Sequence, residues 1–187
     1  MRVPTLTVII AVLIAPAAAS AAVIVLGAGD ARQCYLAAEY QTSPRASLVV
    51  CTRALEDGPS GRDHTATLVN RGIVRMWALD NRGAVVDFDA ALAEAPGLPE
   101  AMVDKAVALV RDNADLPGAV ALLTRALDAR VQRPEVAYYA RGLANETLGD
   151  IQSAYRDYRA AAALKPKWAE PARQLARFSV VARGDKA

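Results

Sequence analysis

The sequence has few of the residues that most chemistry needs. It holds one histidine, His64, in 187 residues, so no second imidazole is available for a ligand pair or a proton relay. His64 stands beside Asp63 where a helix should begin, and it reads as a solvated helix-start residue rather than a general base. Cysteine is scarce too. Cys34, Cys51 and one distant histidine cannot make a typical zinc site, so no metal and no cofactor is expected. Gly27-Ala28-Gly29 lacks the downstream glycine and lysine of a phosphate loop. Charge of one sign is missing as well: 22 Lys and Arg face 20 Asp and Glu, a net of +2, which gives no electrostatic footprint for nucleic acid. The small basic excess between Lys165 and Lys186 reads as a solvated cap. Asp87, Asp89 and Asp157 fall at helix-face spacings that fit surface charge. These shortages point away from an enzyme.

The first 21 residues have the layout of a secretory signal: Arg2, an apolar run, Pro16 as a breaker, then small residues. Ala19-Ser20-Ala21 offers a small-x-small site, which places cleavage between Ala21 and Ala22. Val23, Ile24 and Val25 continue the apolar run, so residues 5–26 also fit an uncleaved anchor that reaches residue 26. Either reading puts the rest of the chain outside the cytoplasm. The periplasm is the expected compartment, with an inner-membrane anchor facing the periplasm as the alternative. The short signal favours it, and so does the scarcity of glycosylation acceptors, since Asn145-Glu146-Thr147 is the single match.

Cys34 and Cys51 flank a break at Thr42-Ser43-Pro44 at nearly equal distances. Residues equidistant from the turn of a helical hairpin lie at the same height. Two readings follow: a disulfide in an oxidising compartment, or two reduced cysteines used as small core residues.

What the sequence does contain is repetition. Gly72, Ala84, Phe88, Ala91 and Pro96 recur as Gly142, Ala154, Tyr158, Ala161 and Pro166, each 70 residues on. Arg71/Arg141, Asp80/Asp150 and Asp87/Asp157 obey the same shift. Ala106, Ala119, Leu123 and Ala126 mark a degenerate unit between the two copies. Apolar residues at helical spacing divide the chain into helices: 30–40, 44–56, 65–79, one after Asp80, one from Pro99, one near Pro117, one near Pro134, one after Asp150, and a last one over 167–182. The fold class is all-α. The boundaries expected are 1–21 signal, 22–29 linker, 30–61 a degenerate first hairpin, 62–98, 99–133 and 134–168 as successive units, and 169–187 a capping helix and tail.

The order of small, aromatic and proline positions resembles the tetratricopeptide repeat (TPR) family, a 34-residue helix-turn-helix unit. The resemblance implies an α-solenoid of three to four antiparallel helix-turn-helix repeats with a C-terminal capping helix. It covers about residues 30–178, strongly over two units and weakly over two. The third unit departs by one extra turn residue and by Val131 in place of proline.

The resemblance further implies a curved ribbon whose first helices line a concave groove. The residues facing it would be Val69, Asn70, Ile73 and Trp77, then Val103, Asp104, Val107 and Arg111, then Tyr139, Leu143 and Glu146. Val107 and Leu143 also fit the hairpin core. Some family members clamp a terminal carboxylate with Lys and Asn; here Asn70 is present, but Asp104 and Ala140 replace its counterparts, so that clamp is not reproduced. The implied partner is a protein or peptide of the cell envelope, lying in the groove as a helix or extended segment. Nucleic acid is not expected, membrane contact would require the uncleaved segment, and self-association is an alternative use of the groove.

Overall fold

A computed structural model describes residues 22–25, 29–58 and 60–178. The expected signal over 1–21 and the tail over 179–187 lie outside the described residues. Nine helices run through the described chain: α1 (Asp30–Tyr40), α2 (Pro44–Glu56), α3 (Arg62–Trp77), α4 (Asn81–Glu94), α5 (Pro99–Arg111), α6 (Leu116–Asp128), α7 (Pro134–Thr147), α8 (Ile151–Leu164) and α9 (Ala169–Leu175). No strand occurs among the described residues, and the fold is all-α.

The helix starts follow from local chemistry. Pro44, Pro99 and Pro134 open α2, α5 and α7, where the missing N–H would have had no partner anyway. Asp80, Asp115 and Asp150 cap α4, α6 and α8 by accepting hydrogen bonds from Gly83, Gly118 and Ser153 at 2.9, 3.1 and 3.0 Å. The Ser153 hydroxyl and amide both donate to Asp150, which holds that carboxyl below its ordinary pKa. Ser43 precedes α2 without a side-chain cap bond, and its carbonyl accepts from Ser47 instead. Where the α7–α8 turn uses Gly149 at φ 85°, the α3–α4 turn places Leu79 at φ 63°. A side chain there costs roughly 1–2 kcal/mol that glycine avoids.

Two expected bounds shift. α3 spans Arg62–Trp77 instead of the expected 65–79, because the turn at Gly61 admits nearly one more turn of helix at its start. α9 is seven residues, not the expected 167–182. Its first turn carries the Glu170–Arg173 pair at 2.6 Å, and beyond it Phe178 is drawn onto Tyr155 and Tyr158.

Each helix packs on the next, from α1 on α2 through α8 on α9. The odd-numbered helices also form a row, with α1 on α3, α3 on α5 and α5 on α7, and no even-numbered pair makes a comparable contact among the described residues. Small residues permit this closeness. Ala84, Ala91, Ala101, Ala106, Ala108, Ala119, Ala126, Ala154 and Ala161 are all fully buried. At the two recurring glycines the fit is tighter still: a Cβ on Gly72 would lie 2.5 Å from Phe88 Cε1, and one on Gly142 would lie 2.7 Å from Tyr158 Cε1. The aromatic rings fill the volume that the glycines vacate.

The first two helices are joined covalently. Cys34 and Cys51 form a disulfide with their Cα atoms 4.8 Å apart and no exposed surface. Closing this loop restricts the unfolded chain by about 3 kcal/mol on the chain-entropy model. Among the described residues no cysteine is free, so the alternative of two reduced core cysteines does not hold.

The Gly72 contact gives a direct test of the packing. Gly72→Ala should destabilise the protein by about 1–3 kcal/mol through overpacking, even though alanine is the better helix former by about 1 kcal/mol. Adding Phe88→Leu should recover part of the loss. Urea unfolding measures both, and an unchanged midpoint for Gly72→Ala would show that the ring does not need the vacant volume.

Candidate binding face

The row of odd-numbered helices presents the residues expected to line a groove, and the structure divides them. Val69, Asn70 and Ile73 of α3 are 0 % exposed, and Val103 and Asp104 of α5 are 4 % and 1 % exposed. Such residues cannot form an open lining. Trp77, Val107, Arg111, Tyr139, Leu143 and Glu146 are half-buried. Trp77 and Val107 pack on the same apolar cluster as Val69 and Ile73. The Arg111 guanidinium donates to the Met76 carbonyl at 3.3 Å, and burial lowers its pKa despite the neighbouring Asp112.

Two of the expected groove residues belong to the carboxy-terminal packing instead. Tyr139 lies 4.8 Å from the Trp168 ring and 5.7 Å from the Tyr158 ring, and its hydroxyl accepts from Gln174 at 3.5 Å. Burial raises its pKa. Glu146 accepts the Tyr158 hydroxyl at 2.7 Å and pairs with Arg177 at 3.0 Å. Burial and that hydrogen bond push the Tyr158 pKa far above its ordinary value. The reason lies in the internal equivalence: Glu146 and Tyr158 stand 70 residues after Met76 and Phe88. An apolar pair in one copy becomes a hydrogen-bonded pair in the other.

Buried carboxylates were not anticipated. Asp87 and Asp157 are 1 % and 5 % exposed rather than surface charges. Arg71 grips Asp87 with Nε and Nη2 at 3.0 and 2.6 Å, and Arg141 grips Asp157 in the same way at 2.9 and 2.8 Å. This two-pronged geometry suits a planar guanidinium. The hydrogen bond to Asp157 raises the Arg141 pKa against the opposing effect of burial. A third donor recurs at the same register: Arg75 reaches Asp87 at 3.0 Å and Asn145 reaches Asp157 at 3.2 Å. The Arg71/Arg141 and Asp87/Asp157 shift held the signal for this pairing.

The stretch expected to be a linker is seated on the face. Asn70 Nδ2 donates to the Val23 carbonyl at 2.8 Å, and its Oδ1 accepts the Val23 N–H at 2.9 Å. One side-chain amide thus satisfies both polar groups of one residue. Burial alternates as in an extended chain: Val23 is half-buried, Ile24 is 63 % exposed and Val25 is 0 % exposed, packed with Ala31, Ala54 and Ala66.

His64 lies elsewhere, at an open cleft of about 690 Å³ lined by Leu55, Arg62, Thr65 and Glu94. Its Nδ1 is 2.7 Å from Glu94 Oε1, while the Thr65 hydroxyl donates to Glu94 Oε2 at 2.6 Å. The carboxylate is bonded to both groups, so the ring nitrogen is not aimed at the hydroxyl as a base for a nucleophile would be. Among the described residues, no three of His, Cys, Asp and Glu gather as metal ligands.

The contrast between buried and exposed carboxylates is measurable. Asp157→Ala should cost about 3 kcal/mol, because it strands the Arg141 guanidinium between helices. Asp89→Ala, which removes an exposed pair with Lys105, should change stability by less than about 1 kcal/mol. Equal effects in chemical denaturation would contradict the distinction.

Compared with protein-family models the chain matches none, and no match is found among curated proteins.

Proposed function

We propose that the chain is an exported, tetratricopeptide-like α-solenoid that binds an extended segment of a cell-envelope protein on the face formed by its odd-numbered helices. The observation that carries this reading is the Asn70 amide holding both backbone groups of Val23. A face that satisfies an extended backbone through a side chain is suited to peptide recognition. Contacts between odd-numbered helices, with no comparable contact between even-numbered ones among the described residues, support a stack curved toward that face. The recurring Gly72–Phe88 and Gly142–Tyr158 contacts support a repeated unit. Binding, not catalysis, is the function this arrangement serves.

The space left for a partner runs over Trp77, Val107, Arg111 and Leu143, since Asn70 already holds the chain's own residue. Trp77 supplies aromatic area and Arg111 a cation that sets register.

The Cys34–Cys51 disulfide supports an oxidising compartment such as the periplasm. The docked residues 22–25 also bear on the membrane alternative. An anchor over residues 5–26 would need Val23 and Val25 in hydrocarbon, yet both are held by the helices. Withdrawing the docked residues 22–25 leaves 5–21 as the continuous apolar stretch, interrupted by Pro16, at the short end of the roughly 17–25 residues that span a bilayer. This favours the cleaved form. No helix of the described residues is long and apolar enough to cross a membrane.

A capture experiment tests the assignment. The immobilised wild-type chain and a Trp77→Ala, Leu143→Ala variant are exposed to native envelope extract. At least one captured protein should be recovered about tenfold less on the variant, the equivalent of about 1.4 kcal/mol, with helicity by circular dichroism unchanged. Identical recovery of every captured protein would contradict this use of the face.

A further inference from the structure

Helices α1, α3, α5, α6 and α7 each end by turning through one left-handed residue: Gln41, Leu79, Asn113, Arg130 and Gly149 in order. Leu79 is the apolar exception. It precedes the Asp80 cap of α4, the place from which an apolar side chain can cover the fourth residue of the helix, here Ala84. Leu79 nevertheless stays 76 % exposed. Its counterpart 70 residues on is Gly149, which makes the same turn at φ 85° with no side chain to strain. The α3–α4 turn thus carries a strained backbone and an exposed leucine where the α7–α8 turn uses glycine. Strain that brings no packing in return points to a functional position.

The same turn meets a cation. The Leu79 N–H donates to the Met76 carbonyl at 3.2 Å, and that oxygen also accepts from Arg111 Nη1 at 3.3 Å. Five arginines among the described residues are half-buried, and four of them have a carboxylate: Arg71 and Arg75 have Asp87, Arg133 has Glu135 and Arg141 has Asp157. Arg111 is the one with no ion pair among the described residues. The carboxylates beside it are turned elsewhere, Asp112 to the Asn81 amide at 2.6 Å and Asp80 to the Gly83 N–H at 2.9 Å. Its bond to Met76 uses Nη1, whereas Nε and Nη2 are the atoms with which Arg71 and Arg141 grip their aspartates. Partial burial strips water from this charge without supplying an anion, and its lowered pKa agrees.

We propose that the α3–α4 turn recognises a carboxylate side chain next to a large apolar one in the partner's segment: Arg111 pairs with the carboxylate and Leu79 packs on the apolar neighbour. Charge complementarity selects this occupant over a neutral or basic segment, and a planar guanidinium adds register through two parallel bonds. The assignment rests on the peptide-binding reading and deepens it by naming the chemistry of the partner.

The probe is a library of random peptides displayed on phage through their carboxyl ends, so that the carboxylates they offer are those of Asp and Glu. Selection on the immobilised wild-type chain should enrich Asp or Glu beside a large apolar residue. A synthetic binder should then weaken about tenfold when its acid is replaced by the matching amide, and the acid and amide forms should bind Arg111→Gln equally. Leu79→Gly should weaken the binder several-fold while Tm stays equal or rises, because glycine relieves the left-handed backbone. Equal affinity of the acid and amide peptides for the wild-type chain overturns the proposal, as does a lower Tm for Leu79→Gly, which would give the leucine a structural role. Should Arg111→Gln fail to fold, the acid and amide pair on the wild-type chain decides alone. Binders that depend on Trp77 and Leu143 but carry no acidic residue overturn this assignment and leave the binding face standing, whereas a library that yields no binder overturns both.

Discussion

The constraint on which the structure depends is the close approach of paired helices, set by a glycine facing an aromatic ring with a buried carboxylate beside it. Gly72 leaves room for Phe88, and Gly142 leaves room for Tyr158. One residue before each glycine is the arginine, and one before each aromatic is the aspartate, which is why Arg71–Asp87 and Arg141–Asp157 form at the same interface. Apolar contact brings the helices together, but many offsets would satisfy it. A two-pronged ion pair away from water tolerates few geometries, and its misalignment would leave buried charge uncompensated. The pair thereby fixes the register at which α3 meets α4 and α7 meets α8, and these positions set the row of odd-numbered helices.

That row has two ends treated differently. At the amino-terminal end, where α1 and α2 keep little of the recurring pattern, a disulfide and the docked residues 22–25 supply cohesion. Beyond α7 at the other end, α9 and Phe178 cover Tyr139, Tyr155 and Tyr158. Terminal units of a stacked protein need such covering, because their outer faces have no neighbour. The central stretch around Trp77, Val107, Arg111 and Leu143 is left only half-buried, and there the proposed partner would lie.

Most helix positions were legible because their signals are local: prolines at the starts of α2, α5, α6 and α7, aspartates before α4 and α8, and apolar residues at helical spacing. The disulfide was legible as one of two readings, since equal distance from Ser43-Pro44 allowed pairing without requiring it. Less legible was anything decided across helices. Asp87 and Asp157 looked like surface charge because spacing along one helix says nothing about an arginine on the preceding one. Glu146 and Tyr139 looked like groove residues because the register marks which side of α7 they occupy but not that α9 returns to cover it. Residues 22–25 read as linker because the two hydrogen bonds that seat Val23 come from Asn70, 47 residues away. The clue was present all the same, in an apolar Val-Ile-Val stretch that no free tether requires.

The central claim is that this face holds an extended chain through Asn70, and amide hydrogen exchange at Val23 tests it most directly. In the native protein the Val23 amide should exchange at least about a hundredfold slower than a free chain, as a hydrogen-bonded group closed by local structure does. In Asn70→Ala it should exchange at the free-chain rate while amides of α7 keep their protection. Free-chain exchange at Val23 in the wild-type protein would contradict the account.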